Sequence, residues 1–113
     1  MEAEPFSSGD DLGAHLLAEV RTGEPTTVFL RGEVDLSTAP ALREVLADAV
    51  TIHPTVVVDV RDATFLDATI VGVLAQANAR AVGGLRIRGA IGLVERIFQL
   101  TSFEHLLLPP GVE

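Results

Sequence analysis

Two short polar segments hold the residues of this sequence whose types and spacing suit chemistry. The first, GEVDLSTA, places Asp35 and Ser37 directly after an apolar stretch. The second, FLDATI, places Asp67 two residues before the hydroxyl of Thr69, at the start of an apolar run. Side chains of these types cap helices by accepting backbone N–H groups, which is the simpler interpretation of each segment taken alone. The alternative is that the Thr69 hydroxyl is placed for chemistry.

The periodicity of apolar residues predicts the elements that position these segments. Strands are predicted at 15–21, 26–35, 55–60 and 85–89, and FEHLLLPP is predicted to be a last strand or a short turn. Helices are predicted after a cap at Ser37 or Thr38, from Asp67 to about Val82, and in GLVERIFQL at 92–100. The closeness of the first two strands predicts an antiparallel hairpin, and the strand–helix–strand units predict right-handed parallel crossovers.

This order of elements predicts an α/β fold with a mixed four- to five-stranded sheet and helices packed mainly on one face. The length of 113 residues fits a single domain over residues 1–113, and the polar, acidic residues 1–11 are expected to be flexible. Both carboxylates follow the carboxyl ends of strands, which share one edge of such a sheet. Asp35, Asp67 and Thr69 are therefore expected to be neighbours across about one strand spacing, roughly 5 Å.

Composition and motifs exclude several classes of function. The net charge is −8 and all eight basic residues are Arg, which argues against a nucleic-acid partner. The sequence has no Cys, no glycine-rich phosphate loop and no Lys, and its three His residues are far apart, so no enzyme, metal site or cofactor is predicted. No segment reaches membrane-spanning length and no leader opens the chain, which favours a cytoplasmic protein without a membrane partner.

Three longer segments resemble the STAS domain of bacterial anti-sigma factor antagonists. They are VFLRGEVDLSTAPALREVL, VVVDVRDATFLDATIVGVLAQANARA and LRIRGAIGLVERIFQLTSFEHLL, and the resemblance covers about residues 15 to 108. It implies a binding protein whose partner is both an anti-sigma factor and a serine/threonine kinase. It also implies that Thr69 is the phosphorylated hydroxyl and Asp67 the acid of the motif, with Asp35 as the strand-end acid nearby. The partner-binding residues are then Asp35, Ser37, Asp67, Ala68, Thr69 and Ile70.

The sequence departs from the usual Asp-Ser-[Ser/Thr]-Gly of that family at two positions. Ala68 replaces the first Ser and Ile70 replaces the Gly. A β-branched side chain adds bulk at a helix start that a glycine leaves bare. Either the kinase has a compensating pocket, or phosphorylation is weakened and the chain is an unswitched STAS scaffold or interaction module of a stress-signalling complex. The sequence leaves open whether the protein is a monomer or a homodimer.

Overall fold

The computed structural model of the chain describes residues 3–8 and 16–109. Its five strands are Ala3–Ser8 (β1), Leu16–Arg21 (β2), Thr26–Val34 (β3), Val56–Leu66 (β4) and Leu85–Arg88 (β5). Its three α-helices are Ala39–Ile52 (α1), Ala68–Arg80 (α2) and Gly92–Leu100 (α3). Short 3₁₀ turns occupy Leu36–Thr38 and Glu104–Leu106.

The strands form one mixed sheet in the order β1-β2-β3-β4-β5. β1, β2 and β3 pair antiparallel, whereas β3, β4 and β5 pair in parallel, as right-handed helical crossovers require. The α/β class, the mixed sheet and the β2–β3 hairpin are confirmed. Residues 3–8, which lie within the segment predicted to be flexible, form an edge strand paired with β2.

The helices cover one face of the sheet. Alternate residues of β4, namely Val56, Val58 and Val60, are buried together with the apolar faces of all three helices. In β5, buried Leu85 and Ile87 alternate with arginines on the other face. The sequence pattern therefore sets which side of each strand meets the helices.

The opposite face of the sheet carries a polar cluster that the sequence analysis did not anticipate. Arg88 donates to the mostly buried carboxylate of Asp59 at 2.9 Å (Nε to Oδ2), and the second oxygen of Asp59 accepts the backbone N–H of Arg61 at 2.9 Å. The guanidinium groups of Arg21 and Arg88 lie 5.0 and 5.7 Å from the centre of the Phe29 ring. On this face of the sheet, which the three helices do not cover, the side chains are held by charge pairing and cation–π contacts.

The ends of several elements differ from their predicted bounds. α2 ends at Arg80 rather than near Val82, with Ala81 as its extended C-cap. For the C-terminal segment, the short turn is the alternative observed: it forms the 3₁₀ turn, followed by a single bridge from Leu107 to Ile87. His15, predicted to begin the first strand, lies outside the described residues. No helix in the described ranges is both long and apolar enough to cross a membrane.

Two irregularities in the β3–β4 pairing shape the end of β4. Phe29 pairs with Asp59 but Arg31 pairs with Asp62, and the register shifts again by the time Glu33 pairs with Phe65. β4 therefore carries extra residues opposite β3, which increases local twist and redirects the strand end. This redirected end leads directly into Asp67 and the start of α2.

Candidate functional site

The loop after β3 is organised by the Asp35 side chain. One carboxylate oxygen (Oδ1) accepts the backbone N–H of Ser37 at 3.0 Å and its hydroxyl at 2.6 Å. The buried Thr38 hydroxyl accepts the Asp35 N–H at 3.1 Å and donates to the Asp35 carbonyl at 3.0 Å. These bonds form a capping box around the 3₁₀ turn, so Ser37 and Thr38 use their hydroxyls within the loop.

The Asp67 carboxylate joins this loop to the start of α2. Oδ1 accepts the backbone N–H of Ile70 at 3.1 Å, which makes Asp67 the N-cap of the helix. Oδ2 accepts the backbone N–H of Leu36 at 3.0 Å, from the loop after β3. A negative charge is favourable at a helix N-terminus, and here it also ties two consecutive strand ends together. The expectation that both acidic segments meet at one sheet edge agrees with this geometry.

Thr69 is the second residue of α2 and its side chain is half-buried. Within residues 16–109 its hydroxyl has no hydrogen-bond partner, in contrast to the hydroxyls of Ser37 and Thr38. Its neighbour Ala68 is exposed. The two residues therefore present a small surface with one uncommitted hydroxyl beside the Asp67 bridge.

Ile70 requires a correction, because it was expected among the partner-binding residues. Its side chain is fully buried in the core, as is that of Val71. The apolar face of α2 begins at Ile70, so this side chain packs beneath the helix start instead of adding bulk above it. The Asp67 carboxylate links the loop that holds Asp35 and Ser37 to the helix start that holds Ala68 and Thr69.

Two apolar residues beside this site were missed by the sequence analysis. Leu36 is 67% exposed although it directly follows Asp35, and Phe65 is 48% exposed two residues before Asp67. The available signal was the position of large apolar residues next to loop-forming acids. Strand alternation alone does not reveal their exposure, because the β4 irregularities change which side each residue faces.

The two histidines of the described residues make their contacts outside the loops of Asp35 and Asp67. No group of three or more His, Asp or Glu residues in that part of the chain is arranged to hold a metal ion. His53 lies 3.8 Å from Glu24 (Nε2 to Oε2) and contacts the backbone of Thr55, while His105 packs near the ring of Phe103. The sheet edge with Asp35, Asp67 and Thr69 remains the candidate site.

Solved structures with the same fold include two anti-sigma factor antagonists. An antagonist from Mycobacterium paratuberculosis is 24% identical with a TM-score of 0.76, and the match covers 85% of this chain and 87% of that one. The unphosphorylated form of the antagonist SpoIIAA is 17% identical with a TM-score of 0.72, covering 80% and 85%. The phosphorylated form of SpoIIAA, described as a Bacillus cell fate determinant, is 19% identical with a TM-score of 0.63, covering 82% and 88%. At these identities the likeness establishes the fold.

The sequence itself carries the family assignment. No curated protein sequence matches the chain. A family model described as "Mlab, STAS domain" matches residues 17–109, which is most of the chain and includes every residue of the candidate site. The chain belongs to the STAS domain family.

Proposed function

We propose that this protein is a bacterial, cytoplasmic anti-sigma factor antagonist regulated by phosphorylation. In its unmodified form it binds an anti-sigma factor that is also a serine/threonine kinase, and a sigma factor is released. Phosphorylation of Thr69 by that kinase ends the binding. The protein is then the substrate of the kinase, and its own role is to bind.

The observation that carries this proposal is the uncommitted Thr69 hydroxyl at the start of α2. The other hydroxyls of the site are bonded within their own loop, whereas Thr69 is half-buried and free of hydrogen bonds in the described residues. A kinase needs a hydroxyl that can be reached without unfolding the site. The unphosphorylated and the phosphorylated structures of SpoIIAA both share this fold. This likeness supports the proposal that this chain is also phosphorylated.

The switch follows from charge. A phosphate adds about −1.5 to −2 charge and three acceptor oxygens beside the carboxylate of Asp67, with Asp35 on the adjoining loop. The N-terminus of α2 tolerates the added negative charge, so the domain stays folded. A partner that fits the neutral surface of Ala68 and Thr69 is repelled by the negative charge of the phosphorylated protein. Its shape also no longer complements that surface. A loss of roughly 3 kcal/mol lowers affinity about a hundredfold.

The test combines mass spectrometry with binding of matched variants. The purified protein, its cognate kinase and ATP are expected to yield one added phosphate, located on Thr69. Thr69→Ala is expected to bind the kinase whether or not ATP is present, and Thr69→Glu to bind poorly. Equal binding by the two variants, or a phosphate on another residue, contradicts the proposal.

A second candidate function is an unswitched STAS scaffold or interaction module. The specific observations are that Ala68 lacks a hydroxyl and that the matching family model is described by the name Mlab rather than as an antagonist. The size of the protein's assembly in solution distinguishes the regulated antagonist from the unswitched scaffold. A large, stable assembly that forms without a kinase and is unchanged in Thr69→Glu favours the scaffold.

A further inference from the structure

The surface beside the switch has an apolar groove along α3. Its floor and walls come from the end of β4 and the outer flank of α3, and we call it the α3 groove. It is formed by Phe65, Leu66, Leu93, Arg96, Ile97 and Leu100.

α3 carries two apolar stripes: one is buried in the core, and the other is largely exposed, with only Ile97 packed partly against the core. Val94 and Phe98 are buried in the core. Leu93, Ile97 and Leu100, at i, i+4 and i+7, form a second stripe on its outer flank. Leu93 is 81% exposed and Leu100 is 69% exposed. An exposed apolar stripe on so short a helix marks a surface that another molecule covers.

The groove is joined to the candidate site through the end of β4. Phe65, which lines the groove, lies two residues before Asp67, and Asp67 is bonded to the backbone of exposed Leu36. Because Ile70 and Val71 are buried, the start of α2 offers a partner little apolar area of its own. The exposed apolar residues linked to Asp67 by the chain or by a hydrogen bond are therefore Phe65, which lines the groove, and Leu36.

We infer that the α3 groove binds an amphipathic helix of the partner, with a carboxylate of that helix opposite Arg96. This inference rests on the proposed function, because the partner that docks at Thr69 supplies the helix. A helix with apolar residues at i, i+4 and i+7 matches the stripe, since ridges of one helix pack into the groove of another. Arg96 is the one charged residue lining the groove, and no ion pair of its side chain occurs within the described ranges.

Charge argues against a second copy of this chain as the occupant. The midpoint between Leu93 and Leu100, the two ends of the stripe, falls beside Arg96. Antiparallel pairing of two α3 helices therefore brings two Arg96 guanidinium groups close to the twofold axis. The two copies also each carry a net charge of −8. A partner helix with a carboxylate avoids the repulsion between two Arg96 guanidinium groups and adds a charge pair with Arg96.

The first test needs no kinase. The probe is a synthetic helical peptide of about fifteen residues with Leu at i, i+4 and i+7 and Glu beside this stripe, and a matched peptide has Lys in place of Glu. In NMR titrations of the full chain, the Glu peptide is expected to shift the amide signals of Leu93, Ile97 and Leu100. The Lys peptide, or the variant Arg96→Glu with the Glu peptide, is expected to bind about tenfold more weakly. Absence of shifts at α3 overturns the inference.

The second test uses the kinase complex and a matched control. Leu93→Gln/Leu100→Gln is expected to weaken binding of the kinase at least tenfold while circular dichroism and Thr69 accessibility stay unchanged. Val82→Gln is the control, because this apolar residue is 92% exposed and lies beyond the opposite end of α2. Wild-type affinity in the double variant, with Thr69→Glu still disrupting the complex, overturns the groove inference and leaves the switch intact.

The remaining outcomes separate the two proposals. If the wild-type chain neither binds the kinase nor is phosphorylated by it, the proposed function is wrong. The peptide titration alone then decides whether the α3 groove binds an amphipathic helix. If sedimentation equilibrium finds a dimer that Leu93→Gln/Leu100→Gln abolishes, the occupant is a second copy and the inference is overturned.

Discussion

At the scale of single residues, Asp67 links fold and function. Its two carboxylate oxygens bind backbone N–H groups from different loops, at Leu36 and Ile70. An aspartate that is read from sequence as part of a phosphorylation motif is thus also the residue that fixes the geometry of the motif. Variants of Asp67 will therefore change stability as well as partner binding.

We expect Asp67→Ala to lower the free energy of unfolding by about 1–2 kcal/mol, because it removes an N-cap and a second, exposed hydrogen bond to the Leu36 backbone. Asp67→Asn keeps one acceptor oxygen and is expected to lose less. Denaturant unfolding monitored by circular dichroism measures both. Equal loss in the two variants would mean that the charge, rather than the hydrogen bonds, stabilises this edge.

Removal of the Thr26 hydroxyl is expected to raise the free energy of unfolding, in contrast to the loss expected for Asp67→Ala. Its side chain is fully buried, and its hydroxyl is the one buried side-chain polar atom without a hydrogen-bond partner in the described part of the chain. Thr26→Val keeps the β-branched shape and removes the unsatisfied group, so we expect the free energy of unfolding to rise by about 1 kcal/mol. Thr38→Val is the contrasting variant, because that buried hydroxyl is bonded and its loss is expected to destabilise. A destabilised Thr26→Val would imply a bound water at the site.

At the scale of elements, the helix-free face of the sheet is held by a charge pair between neighbouring strands. Asp59 of β4 and Arg88 of β5 are directly opposite each other in the register and are both mostly buried on this face. Such pairs are costly to desolvate, so the fold depends on both partners being present.

Arg88→Leu alone is expected to destabilise the protein by about 3 kcal/mol, because it leaves the Asp59 carboxylate buried without its partner. Asp59→Leu/Arg88→Leu removes both charges and is expected to recover part of this loss. A double-mutant cycle from chemical denaturation provides the coupling. Additive effects of the two single changes would mean that solvent screens the pair fully.

Two glycines in neighbouring elements are expected to respond to alanine in opposite ways. Gly89, just after β5, has φ +81°, and a Cβ there would lie 3.0 Å from the Cβ of Arg61. Gly72, inside α2, has open space around the same position. Gly89→Ala is expected to destabilise by about 1–3 kcal/mol, whereas Gly72→Ala is expected to stabilise by up to about 1 kcal/mol. Thermal unfolding compares them, and the same sign for both would refute the conformational argument.

At the scale of the whole molecule, stability is distributed unevenly. The central strands are paired on both sides and buried on the helix face, whereas α3 has only Val94 and Phe98 buried among its nine residues. Elements with few buried apolar contacts open locally before the domain unfolds. The element proposed to dock the partner is therefore also the most easily opened of the three helices.

Native-state hydrogen exchange tests this distribution. Amides of Val58 in β4 and Val28 in β3 are expected to exchange only through global unfolding. Amides of α3 are expected to exchange through a smaller opening, and to become protected when the partner helix binds. Exchange from α3 as slow as that from β4 would show that α3 is an integral part of the cooperative core.

The sequence by itself determined the order of the elements after β1, the strand faces that meet the helices and the meeting of the two acidic loops. Those features depend on local patterns: apolar periods of two and 3.6, and the shared edge of parallel strand ends. Tertiary structure alone decided that Leu36 and Phe65 are exposed and that Asp59 pairs with Arg88, whereas the 3.6-residue period already placed Ile70 on the apolar face of its helix. The exposure of Leu36 and Phe65 and the pairing of Asp59 depend on contacts between residues distant in the chain or on the extra residues in β4, and neither leaves a periodic signal in the sequence.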